Sequence, residues 1–118
     1  FGLQAFLGAD RRLGFDVFAS LTNLPARIDA ADMVITGEGA VDASSLMGKG
    51  VGELLRLAAS RNRPVLLAAG RLSSPLGELR GVRAAADLIT TVGETRAMSH
   101  PESGLEHLGR LLASHAAA

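Results

Sequence analysis

The sequence predicts an α/β fold, in which a parallel β-sheet lies between helices on both faces in a three-layer, Rossmann-like arrangement. Two apolar runs, residues 33–36 and 65–69, each stop at a glycine, as strands covered on both faces do. The segment 51–61 between them places its apolar residues at helical spacing. Together these segments predict a β-α-β unit whose strands run parallel and open at the same edge of the sheet.

Helices are predicted on the N-terminal side of this unit. Residues 1–7 and 15–24 carry apolar side chains on one helical face, and Gly8 is predicted to end the first helix. Pro25 suits the first turn of another short helix. All four phenylalanines fall within the first 18 residues, and we expect them to pack in the core or at a domain interface. An aromatic ligand platform is the alternative.

The C-terminal side is predicted to add two helices and a strand. Residues 75–80 form a short helix, and residues 85–92 a third strand centred on their Leu-Ile pair. Ser99, Pro101 and Glu102 have the spacing of a capping box with proline in the first turn, so a final helix begins there.

Composition favours one compact unit in a reducing compartment. The 118 residues and 47% hydrophobic content suffice for one core. Twelve basic and twelve acidic residues cancel, so bulk charge indicates no nucleic-acid or membrane partner. There is no cysteine, no apolar run of membrane-spanning length and no basic-then-apolar leader. We therefore expect a cytoplasmic protein, and because the chain begins at Phe1 we expect it to be a piece of a longer one. A homo-oligomer is left open.

Most of the readable chemistry lies in residues 32–50, where the first apolar run meets a glycine loop. This loop is neither of two familiar nucleotide motifs. Compared with the dinucleotide fingerprint Gly-x-Gly-x-x-Gly, this loop has Asp42 in place of the third glycine. In the Walker A loop, Ala43 replaces the first glycine and Gly50 replaces the hydroxyl residue.

The glycines and the lysine of this loop suit an anionic ligand. Gly37 and Gly39 allow positive φ and close approach of the backbone to a ligand. Gly48, Lys49 and Gly50 place a cation and free N–H groups at a predicted helix N-terminus, where an anion is favoured. We expect that anion to be a phosphate.

The carboxylates of the same loop suit a hydrated divalent cation or a hydroxyl that must be positioned. Glu38 and Asp42 lie close together in sequence and opposite a lysine, which fits either use. Structural roles compete with these: Asp42 as a turn or cap residue, Ser44 and Ser45 as turn formers, and Lys49 as a solvated surface charge.

Two other groups of polar residues carry weaker signals. Arg71, Ser73 and Ser74 follow the second strand and could line the same crevice, or form a plain solvated loop. The three histidines include no pair at i and i+4, which argues against a metal site.

The loop resembles the signature of the type I glycerate kinases. Residues 32–39 read Asp-Met-Val-Ile-Thr-Gly-Glu-Gly, followed by Asp42, Ser45 and Gly48-Lys49. They are similar to the family's Asp-Leu-Val-Ile-Thr-Gly-Glu-Gly-x-x-Asp-x-x-Ser/Thr-x-x-Gly-Lys. Residues 5–9 and 64–70 also resemble family segments, so the likeness covers essentially the whole chain. It implies that residues 1–118 are the C-terminal part of the α/β domain of a longer protein, without its N-terminal part and second domain.

The resemblance implies transfer of a phosphoryl group from ATP, with Mg²⁺, to a hydroxyl of D-glycerate. We expect Asp42 to orient or deprotonate that hydroxyl and Glu38 to hold Mg²⁺, with the two roles exchangeable. Phosphate or carboxylate binding is then expected from Lys49 as a catalytic residue, from Ser45 as a hydrogen-bond donor, and from Gly37, Gly39, Ser44, Gly48 and Gly50.

Departures from the family pattern keep a second hypothesis open. Family members usually carry arginine at the position of Ala40, glutamine at Ser44 and a proline near Val51, so one charge and one amide are absent. The alternatives are a non-catalytic anion-binding or assembly module, and an α/β domain whose glycine turn is only a turn.

Overall fold

The computed structural model describes residues 1–48, 50–73 and 79–116. Along the chain, its elements are α1 (Gly2–Leu7), α2 (Gly14–Leu21), α3 (Leu24–Ala30), β1 (Val34–Val41), a 3₁₀ turn (Ala43–Leu46), α4 (Gly50–Ser60), β2 (Val65–Leu72), β3 (Val82–Asp87), α5 (Leu88–Val92), α6 (Glu94–Ser99) and α7 (Pro101–Ala116). None of the helices in these ranges has both the length and the apolar character needed to cross a bilayer.

The described strands form one parallel sheet in the order β1-β2-β3. Val34 pairs with Val65 at one end of the β1–β2 ladder, and Val41 pairs with Leu72 at the other. Helix α4 connects these two strands, so the predicted β-α-β unit is confirmed. The carboxyl ends of β1 and β2 therefore lie side by side.

Helices cover both faces of this sheet, as predicted. On one face, α4 packs its apolar side chains against β1 and β2; the buried cluster there consists of Val41, Val51, Leu55, Ala58, Val65, Leu67, Ala69 and Leu79. On the other face, α5, α6 and α7 contribute Leu88, Ala97 and Leu108, packed against Ala68 and Ala86. Val65, Leu67 and Ala69 of β2 belong to the first cluster and Ala68 packs against the second, as expected for a strand whose side chains alternate between its faces.

The first strand is longer than predicted, and this changes the position of the turn. Residues 37–41 continue β1 instead of turning at Gly37, and β2 likewise runs beyond Gly70 to Leu72. A Cβ at Gly37 would lie 2.5 Å from the Ala68 carbonyl oxygen, and one at Gly70 would overlap the Gly39 carbonyl. Gly37 and Gly70 permit close contact between the strands, and neither Gly37 nor Gly39 adopts the positive φ that a glycine allows. The positive φ, 80°, belongs to Gly48.

The third strand also lies elsewhere than predicted. It spans Val82–Asp87, while Leu88 and Ile89, the predicted strand centre, lie in α5. The cause is Asp87, whose carboxylate accepts a hydrogen bond from the Thr90 N–H at 2.9 Å and so caps a helix. The apolar run around Leu88 and Ile89 resembled a strand, although Asp87 directly before it is a residue type that often caps helices.

The start of α7 differs in its capping. Pro101 begins the helix as predicted, but the Ser99 hydroxyl donates to the Thr95 carbonyl at 2.8 Å and caps nothing. The expected capping box between Ser99 and Glu102 is therefore wrong. The predicted short helix at 75–80 falls mainly on residues 74–78, which lie outside the described residues.

The N-terminal helices form a layer that is only partly packed. Gly8 ends α1 in the left-handed conformation, as predicted, with φ of 64°. However, Phe1, Phe6 and Phe18 are exposed and Phe15 is half-buried. Those three phenylalanines therefore do not pack in a core of this chain, and their alternative place at a domain interface stays a prediction.

Two glycine substitutions test the packing of α4 on the turn before it. Gly52→Ala should lower the free energy of unfolding by about 1–3 kcal/mol, because the added methyl would lie 2.6 Å from the Ser45 carbonyl oxygen. Gly109→Ala, on α7, meets nothing within 4 Å and should raise it by about 0.5–1 kcal/mol through helix propensity. Urea unfolding measures both, and a gain in stability at both positions would contradict the predicted contact.

Candidate active site

The candidate site lies at the carboxyl edge of the sheet, where β1 leads through residues 42–48 into α4. In open α/β sheets, ligands bind outside the carboxyl ends of the strands. Gly37, Glu38 and Gly39 lie in the middle of β1, and Gly50 is the first residue of α4. Lys49, the cation expected there, lies outside the described residues.

Asp42 holds the turn after β1 together. Its Oδ1 accepts hydrogen bonds from the Ser44 N–H at 2.8 Å, the Ser45 N–H at 3.1 Å and the Ser44 hydroxyl at 2.6 Å. In return, the Ser45 hydroxyl accepts from the Asp42 N–H at 3.3 Å, which completes a capping box. The competing structural role of Asp42, as a cap residue, is thus present in the fold.

Ser45 is a buried part of the same turn. The residue is 1% exposed, and its hydroxyl donates to the Ala40 carbonyl at 3.2 Å. A serine hydroxyl has one proton to donate, so a bond from Ser45 to a bound anion would require this contact to break. Anion binding by Ser45 stays a prediction, and the geometry gives the residue a structural role first.

A cleft of about 670 Å³ lies beside β1 and brings three predicted site residues together, whereas Asp42, Ser44 and Ser45 are not among the residues that line it. Glu38 and Gly37 line it from β1, and Gly50 lines it from the start of α4. Its remaining walls are mainly apolar and come from α2, α3, β1 and α4; they include Phe15, Phe18, Leu24, Ile28, Val51 and Leu54. The sequence analysis did not predict that α2 and α3 would wall the site, because only tertiary packing brings them there.

Glu38 has an unsatisfied oxygen in this region. Its Oε2 is buried and has no hydrogen-bond partner among the described residues. A buried carboxylate oxygen without a partner is costly, so it marks a place where a ligand atom, a water or a cation belongs. The cleft lined by Glu38 is open to such a group.

Magnesium fits this arrangement in one specific way. Within the described ranges, no group of three or more acidic or histidine side chains could cage a metal ion. Kinase sites, however, hold Mg²⁺ with one or two carboxylates, water and the phosphates of the substrate. Glu38 can supply one such carboxylate oxygen, so the residues fit a Mg²⁺ ion that arrives with a nucleotide.

Arg71 lies at the same edge, one strand away. It pairs in register with Ala40 of β1, and its guanidinium donates to Glu94 Oε1 at 2.8 Å. Both side chains are more than half exposed, so this ion pair is weak and replaceable. The sequence suggested Arg71 but not Glu94, which is distant in sequence and reaches the edge only through the α5–α6 turn.

The chain matches the model of the glycerate kinase family over residues 1–117. It belongs to the glycerate kinase family. This supports the resemblance seen in residues 32–50 with a match along almost the entire chain.

Individual relatives agree with this membership. The chain is 33% identical to the glycerate 2-kinase of Escherichia coli strain K12 over 93 residues, 77% of this chain and 24% of that protein. It is 32% identical to the glycerate kinase of Halalkalibacterium halodurans over 115 residues, 95% of this chain and 30% of that protein.

A solved structure shows the same fold. The crystal structure of a protein from Salmonella typhimurium LT2, named provisionally as a glycerate kinase 2, matches with a TM-score of 0.62 and 28% identity. The match covers 98% of this chain and 28% of the Salmonella chain. The chain thus spans between 24% and 30% of the length of these three relatives.

Substitutions at Asp42 test its role as a cap. Asp42→Ala should lower the free energy of unfolding by about 0.5–2 kcal/mol, because it removes the carboxylate that accepts from the Ser44 and Ser45 N–H groups, although the Ser45 N–H keeps the carbonyl of residue 42 as an acceptor. Asp42→Asn keeps an acceptor oxygen in the same place and should cost a few tenths of a kcal/mol at most. Urea unfolding distinguishes the two, and equal losses would show that the charge, and not the cap, stabilises the turn.

Proposed function

We propose that this chain is the catalytic-loop portion of a type I glycerate kinase, which transfers the terminal phosphoryl group of ATP to a hydroxyl of D-glycerate. Family membership supports a kinase that acts on glycerate. The observation that carries the site assignment is Glu38, which has a buried, unpartnered carboxylate oxygen and lines the same cleft as the first residue of α4. A carboxylate beside a helix N-terminus suits a cation and a phosphate bound together.

The proposed chemistry is mostly positioning and charge stabilisation, as in phosphoryl transfer generally. When bound, Mg²⁺ neutralises charge on the phosphates of ATP. The N–H groups at the start of α4 would bind the phosphates, and Lys49, which precedes Gly50 in the sequence, would supply a cation. The acceptor hydroxyl gives its proton to the Asp42 carboxylate while its oxygen bonds to the terminal phosphorus and the bond to the leaving ADP breaks. Glu38 holds the metal, directly or through water.

The proposal extends to the protein that surrounds this site. We place residues 1–118 in the C-terminal part of an α/β domain, with a second domain elsewhere in the protein; the coverage of 24% to 30% of three relatives supports a larger whole. The isolated chain is then inactive. The proposed partners are ATP, Mg²⁺ and D-glycerate or a similar hydroxy acid, with no nucleic acid or membrane, in the cytoplasm. The balance of twelve basic and twelve acidic residues supports the absence of a polyanion partner.

A chimaera tests the proposed reaction. If this chain replaces the 93 matched residues of the Escherichia coli glycerate 2-kinase, the product should phosphorylate D-glycerate with ATP and Mg²⁺. Asp42→Asn and Lys49→Ala in the chimaera should each lower kcat by at least about a hundredfold, because they remove the proton acceptor and the phosphate cation. The rate is measured by coupling the release of ADP to an indicator reaction.

The control is Arg110→Gln on α7, a charge change far from β1 in the fold, which should leave kcat unchanged. Near-wild-type rates for both Asp42→Asn and Lys49→Ala would refute the site assignment. A folded chimaera without activity would instead support the non-catalytic module.

A carboxylate substitution tests the proposed metal role. Glu38→Gln in the same chimaera should raise the Mg²⁺ concentration needed for half-maximal rate by about tenfold or more, because a neutral amide binds the ion less well. Glu102→Gln, which changes an exposed carboxylate of α7, serves as the matched control. If Glu38→Gln lowers kcat but leaves the Mg²⁺ dependence unchanged, the result would indicate that Asp42 holds the metal and Glu38 accepts the proton.

A further inference from the structure

Arg71 lies close to the proposed proton acceptor but takes no part in the proposed proton transfer or metal binding. It is the second-last residue of β2 and pairs in register with Ala40 of β1. The Ser73 N–H donates to the Val41 carbonyl at 2.9 Å, so the two segments stay side by side as far as the residue before Asp42. Strand spacing and rise give a separation of about 8 Å between the Cα atoms of Arg71 and Asp42.

The charges of the proposed site require a cation beside the hydroxy acid. β1 carries one ionisable side chain, the carboxylate of Glu38, and Asp42 adds a second carboxylate directly after the strand. The hydroxy acid brings a carboxylate of its own, which these two side chains repel. In the proposed reaction, Mg²⁺ and Lys49 serve the phosphates. β2 also carries one ionisable side chain, and this is the guanidinium of Arg71.

The guanidinium of Arg71 is available to a ligand because its present ion pair is weak. Among the described residues its hydrogen-bond partner is Glu94, whose Oε1 accepts from Nη2 at 2.8 Å. The two side chains are 55% and 68% exposed, and a pair of exposed charges contributes little to stability. A guanidinium has five N–H donors in a planar fork that fits a carboxylate with two parallel hydrogen bonds. A substrate carboxylate can therefore replace Glu94 on Arg71.

We propose that Arg71 binds the carboxylate of the hydroxy acid and so selects acids over neutral alcohols. The inference rests on the proposed function, because there Asp42 fixes the position of the reacting hydroxyl. With that hydroxyl at Asp42, the carboxylate of the acid extends towards β2, where Arg71 attracts it. Two hydrogen bonds from the guanidinium then set the orientation of the acid and direct one hydroxyl towards the phosphate. Arg71 is a binding residue in this arrangement and transfers no proton.

The kinetics of the chimaera test this role. Arg71→Met removes the charge but keeps an unbranched side chain, and it should raise the KM for D-glycerate at least about tenfold while the KM for ATP stays within about twofold. Arg71→Lys keeps the charge without the fork and should give an intermediate KM. Arg110→Met is the matched control, because Arg110 is likewise an exposed arginine paired with a glutamate, and it should change neither KM.

Glu94→Gln separates substrate binding from a purely structural role of the ion pair. If Arg71 binds the acid, loss of the Glu94 charge frees the guanidinium and should lower the KM for D-glycerate by up to about threefold. If the pair only supports the fold, Glu94→Gln and Arg71→Met should raise that KM alike, and this result would overturn the inference. Glycerol has the hydroxyls but no carboxylate, so its inhibition constant should be the same in Arg71→Met as in the unmodified chimaera.

Calorimetric binding of D-glycerate distinguishes failure of this inference from failure of the proposed function. Arg71→Met should weaken binding to the folded chimaera at least about tenfold, with or without turnover. A chimaera that binds D-glycerate through Arg71 but transfers no phosphoryl group would contradict only the proposed function. Phosphorylation with an unchanged KM for D-glycerate in Arg71→Met would overturn only the role of Arg71. A folded chimaera that binds no D-glycerate would overturn both.

Discussion

The close parallel pairing of β1 and β2 is the constraint on which the candidate site depends. The two strands approach so tightly that Gly37 faces the Ala68 carbonyl and Gly70 faces the Gly39 carbonyl, with no room for a Cβ at either glycine. Because of this contact, both strands continue past the glycines and end at Val41 and Leu72. The turn into α4 is thereby displaced to residues 42–48, where Gly48 supplies the positive φ. Glu38 consequently projects from a strand, a more rigid support than a loop.

Asp42 combines a structural demand with a proposed chemical one. Its Oδ1 receives the hydrogen bonds that fold the turn, and Ser45 returns one to the Asp42 backbone. Several hydrogen bonds to one carboxylate oxygen fix the direction of the side chain. In the proposed reaction the same bonds hold the proton acceptor in place before the substrate arrives. A cap and a catalytic group are therefore compatible roles for one residue, and separating them requires substitutions that keep the acceptor oxygen.

Sequence patterns predicted the elements whose causes are local. The β-α-β unit follows from two apolar runs around an amphipathic segment, and the end of α1 follows from Gly8. The errors have long-range causes. Glycine usually signals a turn, and nothing beside Gly37 in the sequence shows that Ala68 will press against it. Leu88 and Ile89 read as a strand because the cap formed by Asp87 depends on where β3 ends.

Only part of the candidate site was predicted from the sequence. Glu38, Asp42 and the start of α4 were identified as a loop, and the structure places them at one edge of the sheet. The walls that Phe15 and Phe18 form were not predicted, because helical periodicity shows which side chains share a face but not which other element that face contacts. The burial of Ser45 was also not predicted, since serine is usually exposed in folded proteins.

The apolar walls of the cleft bear on how strongly its charged group acts. Phe18 and Ile35 line the cleft that Glu38 also lines, and both side chains are largely exposed in this chain. Water beside these walls keeps the local dielectric high and weakens the attraction between a carboxylate and a cation. In the proposed reaction, the exclusion of water from these walls would therefore strengthen the hold of Glu38 on a cation.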